Sequence, residues 1–142
     1  MKQLLWMMLS MFSALLFLCL GGCAGEEAVQ SRPGLDPAVQ PEYVTEWPEN
    51  SMTEKIPPPK QGEISYVRDY SGSGRYEIVW QGITREESED YLQQLAEAGY
   101  TPLLSGENDH SAGILLQKGE VTLSISYSGT VLVILISTGA AG

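Results

Sequence analysis

Thiols and cationic side chains are what this sequence has least of. Among 142 residues there are two cysteines, one histidine and eight lysines or arginines, against eighteen aspartates and glutamates. The formal charge of −10 repels phosphate backbones and anionic headgroups, so neither nucleic acid nor an acidic lipid surface is an expected direct partner. The same charge opposes self-association, and a monomer is expected. Both cysteines, Cys19 and Cys23, lie near the start of the chain, so the remainder has no pair for a disulfide and no thiol nucleophile. With His110 as the single histidine, His/Cys ligand sets for zinc are excluded.

Other familiar chemistries are missing too. Ser71-Gly72-Ser73-Gly74 has neither the lysine nor the following helix that a phosphate-cradling loop needs. Glu107, Asn108 and Asp109 offer oxygen ligands, but their spacing matches no EF-hand loop for calcium. Ser105, Ser111 and Asp109 are close to His110 along the chain, and adjacency is not the geometry of a Ser-His-Asp relay. No catalytic constellation emerges. No cofactor or metal is expected.

What is present begins with an export signal. Lys2 supplies a short positive segment, and an apolar run from Leu4 to Leu20 follows, broken by Ser10 and Ser13. Its length, about 17 residues, is at the lower limit for spanning a bilayer. The run ends in Leu20-Gly21-Gly22-Cys23, where two small residues precede a cysteine. This resembles the lipobox of bacterial lipoproteins. The resemblance implies that residues 1–22 are removed as a signal peptide and that the Cys23 sulfur carries diacylglycerol. The mature chain would then be held at the cell membrane, on the extracytoplasmic side, by acyl chains numerous enough for stable anchoring.

Residues 23–46 read as a flexible tether. From Ala24 to about Lys60 fall seven of the eight prolines, Pro33, Pro37, Pro41, Pro48, Pro57, Pro58 and Pro59, and they forbid a helix or a central strand through that longer stretch. Tyr43, Val44, Trp47 and Met52 are the large apolar groups within it. Trp47 and Ile56 are expected to pack onto the domain, which is therefore placed at residues 47–137, with a frayed tail at 138–142. Ile56-Pro57-Pro58-Pro59-Lys60 should form a short polyproline II approach to it.

Period-two alternation marks Ile64–Asp69 and Tyr76–Gln81 as a hairpin across the Ser-Gly turn. Thr84-Arg85-Glu86-Glu87 is a capping box, and its carboxylates complement the helix dipole without any catalytic role. Tyr91, Leu92, Leu95 and Ala98 form a helical apolar stripe, closed by Gly99 and Pro102, so a helix is predicted over Arg85–Ala98. Ser105–Gly113 reads as a polar loop. Strands follow at Ile114–Gln117, Val121–Tyr127 and Val131–Ile136, the last continuously apolar, as befits a central strand.

The fold class predicted is α+β: an antiparallel sheet of about five strands, ordered β-β-α-β-β-β, with one helix on one face. The Trp-Pro start, the Tyr-Glu-Ile-Val-Trp strand and the helix ending Ala-Gly-Tyr-Thr resemble a family of small, uncharacterised lipoprotein-borne domains of Gram-positive bacteria. That family implies the fold over Trp47–Ile136 and brings no activity or site residues.

The function expected is a non-catalytic binding or adaptor module for an envelope protein or glycan, with Tyr76, Trp80, Tyr100 and His110 as the candidate partner surface. The alternatives are a carboxylate-dependent hydrolase using Glu107 or Asp109, and a structural surface spacer. The lipid anchor is tested by feeding cells a labelled fatty acid. The native chain should take up the label, whereas a C23A chain should stay unlabelled and keep its leader. Equal labelling of both would dismiss Cys23 as the attachment point.

Overall fold

Alternating apolar and polar residues from Glu63 onward build an antiparallel sheet of six strands. They are β1 (Glu63–Tyr70), β2 (Arg75–Gln81), β3 (Thr101–Glu107), β4 (Ser111–Lys118), β5 (Val121–Ser128) and β6 (Val131–Thr138). The α-helix α1 (Arg85–Glu97) joins β2 to β3, and the strand order is β1-β2-β6-β5-β4-β3. The computed structural model describes residues 35–139. Cys23, the leader at 1–22, the first part of the tether and residues 140–142 lie outside the described residues.

The class is α+β, as read from the sequence, but the strands are six rather than five. The additional one is β3, which falls partly on the segment taken for a polar loop. It pairs only with β4, and all seven of its residues are exposed. An edge strand covered on neither face needs no apolar alternation, and it tolerates Pro102 because only one of its sides makes ladder hydrogen bonds. The remainder of the supposed loop is the start of β4 and the tight turn between the two strands.

Register decides which side chains meet. Ile78, Ile134, Ile125 and Ile114 lie side by side across β2, β6, β5 and β4, flanked by the rows Tyr76-Ile136-Leu123-Leu116 and Trp80-Leu132-Tyr127-Ala112. These rows share one face and form the core with Tyr91 and Leu95 of α1. In β1 the alternation slips at a bulge between Ile64 and Tyr66. An extra residue reverses the side-chain phase beyond it. Val67 is therefore buried in the core, in place of the Tyr66 and Arg68 that simple alternation aligns with Ile64.

Helix α1 is bounded as its residues dictate. The Glu87 amide donates to Thr84 Oγ1 at 3.2 Å, and the Thr84 amide donates to Glu87 Oε2 at 2.8 Å, which closes the capping box. At the other end Gly99 takes φ +95°, with Tyr100 N bonded to Leu95 O and Gly99 N to Ala96 O. That pair of bonds is the Schellman closure, and a side chain at Gly99 would strain it. α1 is the one α-helix among the described residues, and none there is long and apolar enough to cross a membrane.

On the opposite face of the sheet, Val79 and Tyr70 are buried outside the main core. Arg68 meets the buried Glu77 carboxylate there at 2.7 Å. Further along, Val133, Leu135 and Leu115 are half-buried, and Leu104 on β3 is 70% exposed.

The isoleucine row sets the cost of disturbing the centre. Replacing Ile134 with alanine should destabilise the fold by about 3 kcal/mol, since a fully buried branched chain leaves a cavity that its neighbours only partly fill. T84A at the cap should cost about 1 kcal/mol. Urea denaturation of both variants checks the order; a T84A loss equal to that of I134A would contradict it.

Candidate functional site

The aromatic residues singled out from the sequence are not a surface. Tyr76, Trp80 and Tyr100 all lie in the core, less than a tenth exposed. Alternation placed Tyr76 and Trp80 correctly on one face, but that face is the one the helix covers. Burial pushes the phenols of Tyr76 and Tyr100 above their ordinary pKa. Trp80 Nε1 donates to the Gln61 carbonyl at 2.7 Å, so its polar edge is spent within the fold. His110 alone of the four is exposed, at the tip of the β3–β4 turn.

An outward-facing aromatic does exist, one layer further out. Trp47 packs edge-on against Trp80, with centroids 6.0 Å apart and planes at 61°. It begins a turn that the sequence builds from local hydrogen bonds. Asn50 Oδ1 accepts from the amides of Met52 at 2.9 Å and Thr53 at 3.1 Å, while Thr53 Oγ1 donates to the Pro48 carbonyl. Met52 and Ile56 then insert into the core. The prolines after them are fastened to α1. Tyr91 Oη donates to Pro57 O at 3.0 Å, and Gln94 Nε2 donates to Pro58 O at 3.1 Å.

Between this turn and the end of α1 lies an open groove of about 900 Å³. Trp47, Pro48, Pro57 and Ala98 give it apolar walls, and Glu54 and Lys55 stand on its rim. An aromatic plane, rigid proline walls and polar groups of both signs suit a neutral or amphipathic ligand. Glu49, Asn50, Ser51 and Thr53 supply the remaining polar groups of the lining. The tendency of Trp47 and Ile56 to pack was legible in their apolar character. The cleft they leave was not, because it depends on where α1 ends.

The β3–β4 tip is organised by Arg85. Its guanidinium reaches Glu107 Oε2 at 3.0 Å, Glu89 Oε1 at 3.2 Å and the Asn108 carbonyl at 3.2 Å, and it lies 6.0 Å from the centre of the Tyr127 ring. Asn108 Oδ1 accepts from the amides of His110 and Ser111 and shapes the turn. Glu107 is thus tied to a cation that it shares with Glu89. Among the described residues no three of histidine, cysteine, aspartate and glutamate gather as they would around a metal ion.

No protein-family model matches the chain, and no curated protein or solved structure does either.

The support beneath Trp47 rests on a close backbone approach. Gly62 has φ +78°, and a Cβ there would lie 2.5 Å from Gln81 O and 2.7 Å from Trp80 Nε1. G62A should therefore cost roughly 1–3 kcal/mol and alter tryptophan emission as the Trp80–Gln61 bond is displaced. Unchanged emission and an unchanged denaturation midpoint would refute this account of the support.

Proposed function

We propose that the chain is a lipid-anchored, non-catalytic binding domain that holds an envelope polypeptide or glycan in the Trp47 groove. The observation that carries this reading is the groove itself: an aromatic wall backed by Trp80, with proline walls fixed to α1 by two side-chain hydrogen bonds. Preorganised walls lose little entropy when a ligand settles, so a shallow site of this kind can be selective. The lipobox ending at Cys23 supports membrane attachment and an extracytoplasmic setting. The resemblance to small lipoprotein-borne domains of Gram-positive bacteria fits both. The acidic balance keeps the domain away from anionic surfaces and leaves recognition to shape and stacking.

The test places a photo-reactive residue at Lys55, on the rim, in intact cells of the native host. One dominant protein or glycan adduct is expected, lost on W47A and competed by the free ligand once that is identified. As W47A also removes packing from Trp80, a rim reversal, E54K, serves as a second variant. It should weaken the adduct several-fold with the denaturation midpoint unmoved. Scattered adducts, insensitive to both changes, would discard the groove and favour a structural spacer.

A further inference from the structure

The two edges of the sheet are treated differently. At β1 the edge is closed: Glu42 N donates to Val67 O at 2.8 Å, Val67 N donates to Glu42 O at 2.9 Å, and the Tyr43 ring meets Tyr66 at 6.1 Å. β1 also carries Glu63, Arg68 and Asp69, charges of the kind that keep foreign strands off an edge. At β3 no outer segment is paired, and its protection is confined to Pro102 and the bulge before Leu104 at its start and to Glu107 at its end. Its sequence is Thr-Pro-Leu-Leu-Ser-Gly-Glu, every residue is exposed, and Leu103 and Leu104 are 55% and 70% accessible. Its one ionisable side chain, Glu107, meets Arg85 at 3.0 Å, a cation it shares with Glu89.

The outward groups of β3 follow from its pairing. Asn108 N bonds to Ser111 O at 2.9 Å, and the register runs back through Glu107↔Ala112, Gly106↔Gly113 and Ser105↔Ile114. In an antiparallel ladder bonded and non-bonded pairs alternate. Gly106 therefore bonds to β4, while the amides and carbonyls of Ser105 and Glu107 face away from it. These are donors and acceptors in ladder spacing with no strand of the same chain beside them.

We infer that β3 is a self-pairing edge, on which a second copy of this chain docks antiparallel, β3 against β3, about a two-fold axis. Three observations select a second copy as the occupant. An antiparallel edge is self-complementary under two-fold symmetry, so the same outward groups serve both copies. With β1 closed by Glu42, each chain offers one pairing edge, so association ends at two copies and no fibre forms. On a chain of charge −10 this strand carries a single carboxylate, Glu107, partly offset by Arg85, so two acidic copies meet comparatively little repulsion there. The antiparallel arrangement also brings Asp109, at the turn of one copy, toward the Thr101 and Lys118 end of the other. On the face away from α1, Leu104 stands beside Leu115 and extends that apolar pair to the edge that meets the mate, while exposed Ser124 separates it from Leu135. This pairing contradicts the monomer expected from net charge and is independent of the Trp47 groove.

The experiment uses the full-length chain with a photo-reactive residue at Ser105 or, as a control, at Glu63. The Ser105 probe should give an adduct of twice the chain mass whose cross-link maps to β3 of another copy; the Glu63 probe should give none. Light scattering should show a monomer–dimer equilibrium that tightens as salt is raised, because the residual repulsion between like-charged copies is screened. L104K should weaken the dimer at least tenfold. S105P should do the same with no loss of fold, since it removes an amide hydrogen that β4 does not use. A Ser105 adduct with a different protein, a chain monomeric at all concentrations, or a dimer indifferent to both substitutions would each overturn the inference. W47A should leave dimerisation intact, so loss of the groove reading and loss of this one remain distinguishable.

Discussion

Everything in this domain depends on the ladder between β2 and β6. Residues 75–81 pair with residues 131–137, which joins the first hairpin to the end of the chain. Bringing such distant segments together costs loop-closure entropy before any contact repays it. The return is concentrated in the fully buried pairs of this ladder, above all Ile78 beside Ile134. Once that ladder exists, α1 must cross from β2 over the intervening strands to reach β3, and its stripe of Tyr91 and Leu95 fills the covered face. Trp80 is also placed by β2, so the Trp47 groove inherits its position from the same pairing. With no cysteine pair to staple the two halves, this ladder has no covalent substitute.

Much of this was legible where local chemistry decides the outcome. The capping box, the Schellman glycine and the alternation of Val121–Tyr127 depend on neighbours in the chain, and the structure follows them. β6 was readable as central because Val131–Ile136 is apolar throughout. The failures have a common cause, since each depended on context several strands away. β3 is invisible to hydrophobic pattern because an exposed edge imposes none. Tyr76 and Trp80 were read as surface aromatics, but alternation says which residues share a face and not which face is covered. The bulge after Ile64 moved Val67 inward with no signal in composition. As for the site, Trp47 announced itself by its cost of exposure, while the cleft beside it needed the position of Ala98.

Cations are scarce, and three of them have defined placements. Arg68 neutralises the buried Glu77, Arg85 gathers Glu89, Glu107 and the Asn108 carbonyl, and Lys118 bonds the Ala98 carbonyl at the end of α1. Each stands where a negative group or helix terminus would otherwise be uncompensated. The surplus carboxylates are left to solvent or gathered at the start of α1, where the helix dipole favours them. An acidic composition is thus compatible with a well-satisfied interior; among the described residues no buried side-chain polar atom lacks a partner.

The stretch from Glu42 to Gly62 is fastened at intervals: by the Glu42–Val67 pair, Trp47 on Trp80, Met52 and Ile56 in the core, and the Pro57 and Pro58 carbonyls on α1. These fasteners are in series ahead of β1. Tension applied to the chain before Glu42 loads the Glu42–Val67 pair first, and the chain pulls on the start of β1 through Gly62 only after the others have parted. Those residues span at most roughly 70 Å at full extension, and the slack is that length less the distance they already cover. A pull from that side would therefore be met by length given up in small steps before the strands of the sheet are drawn apart.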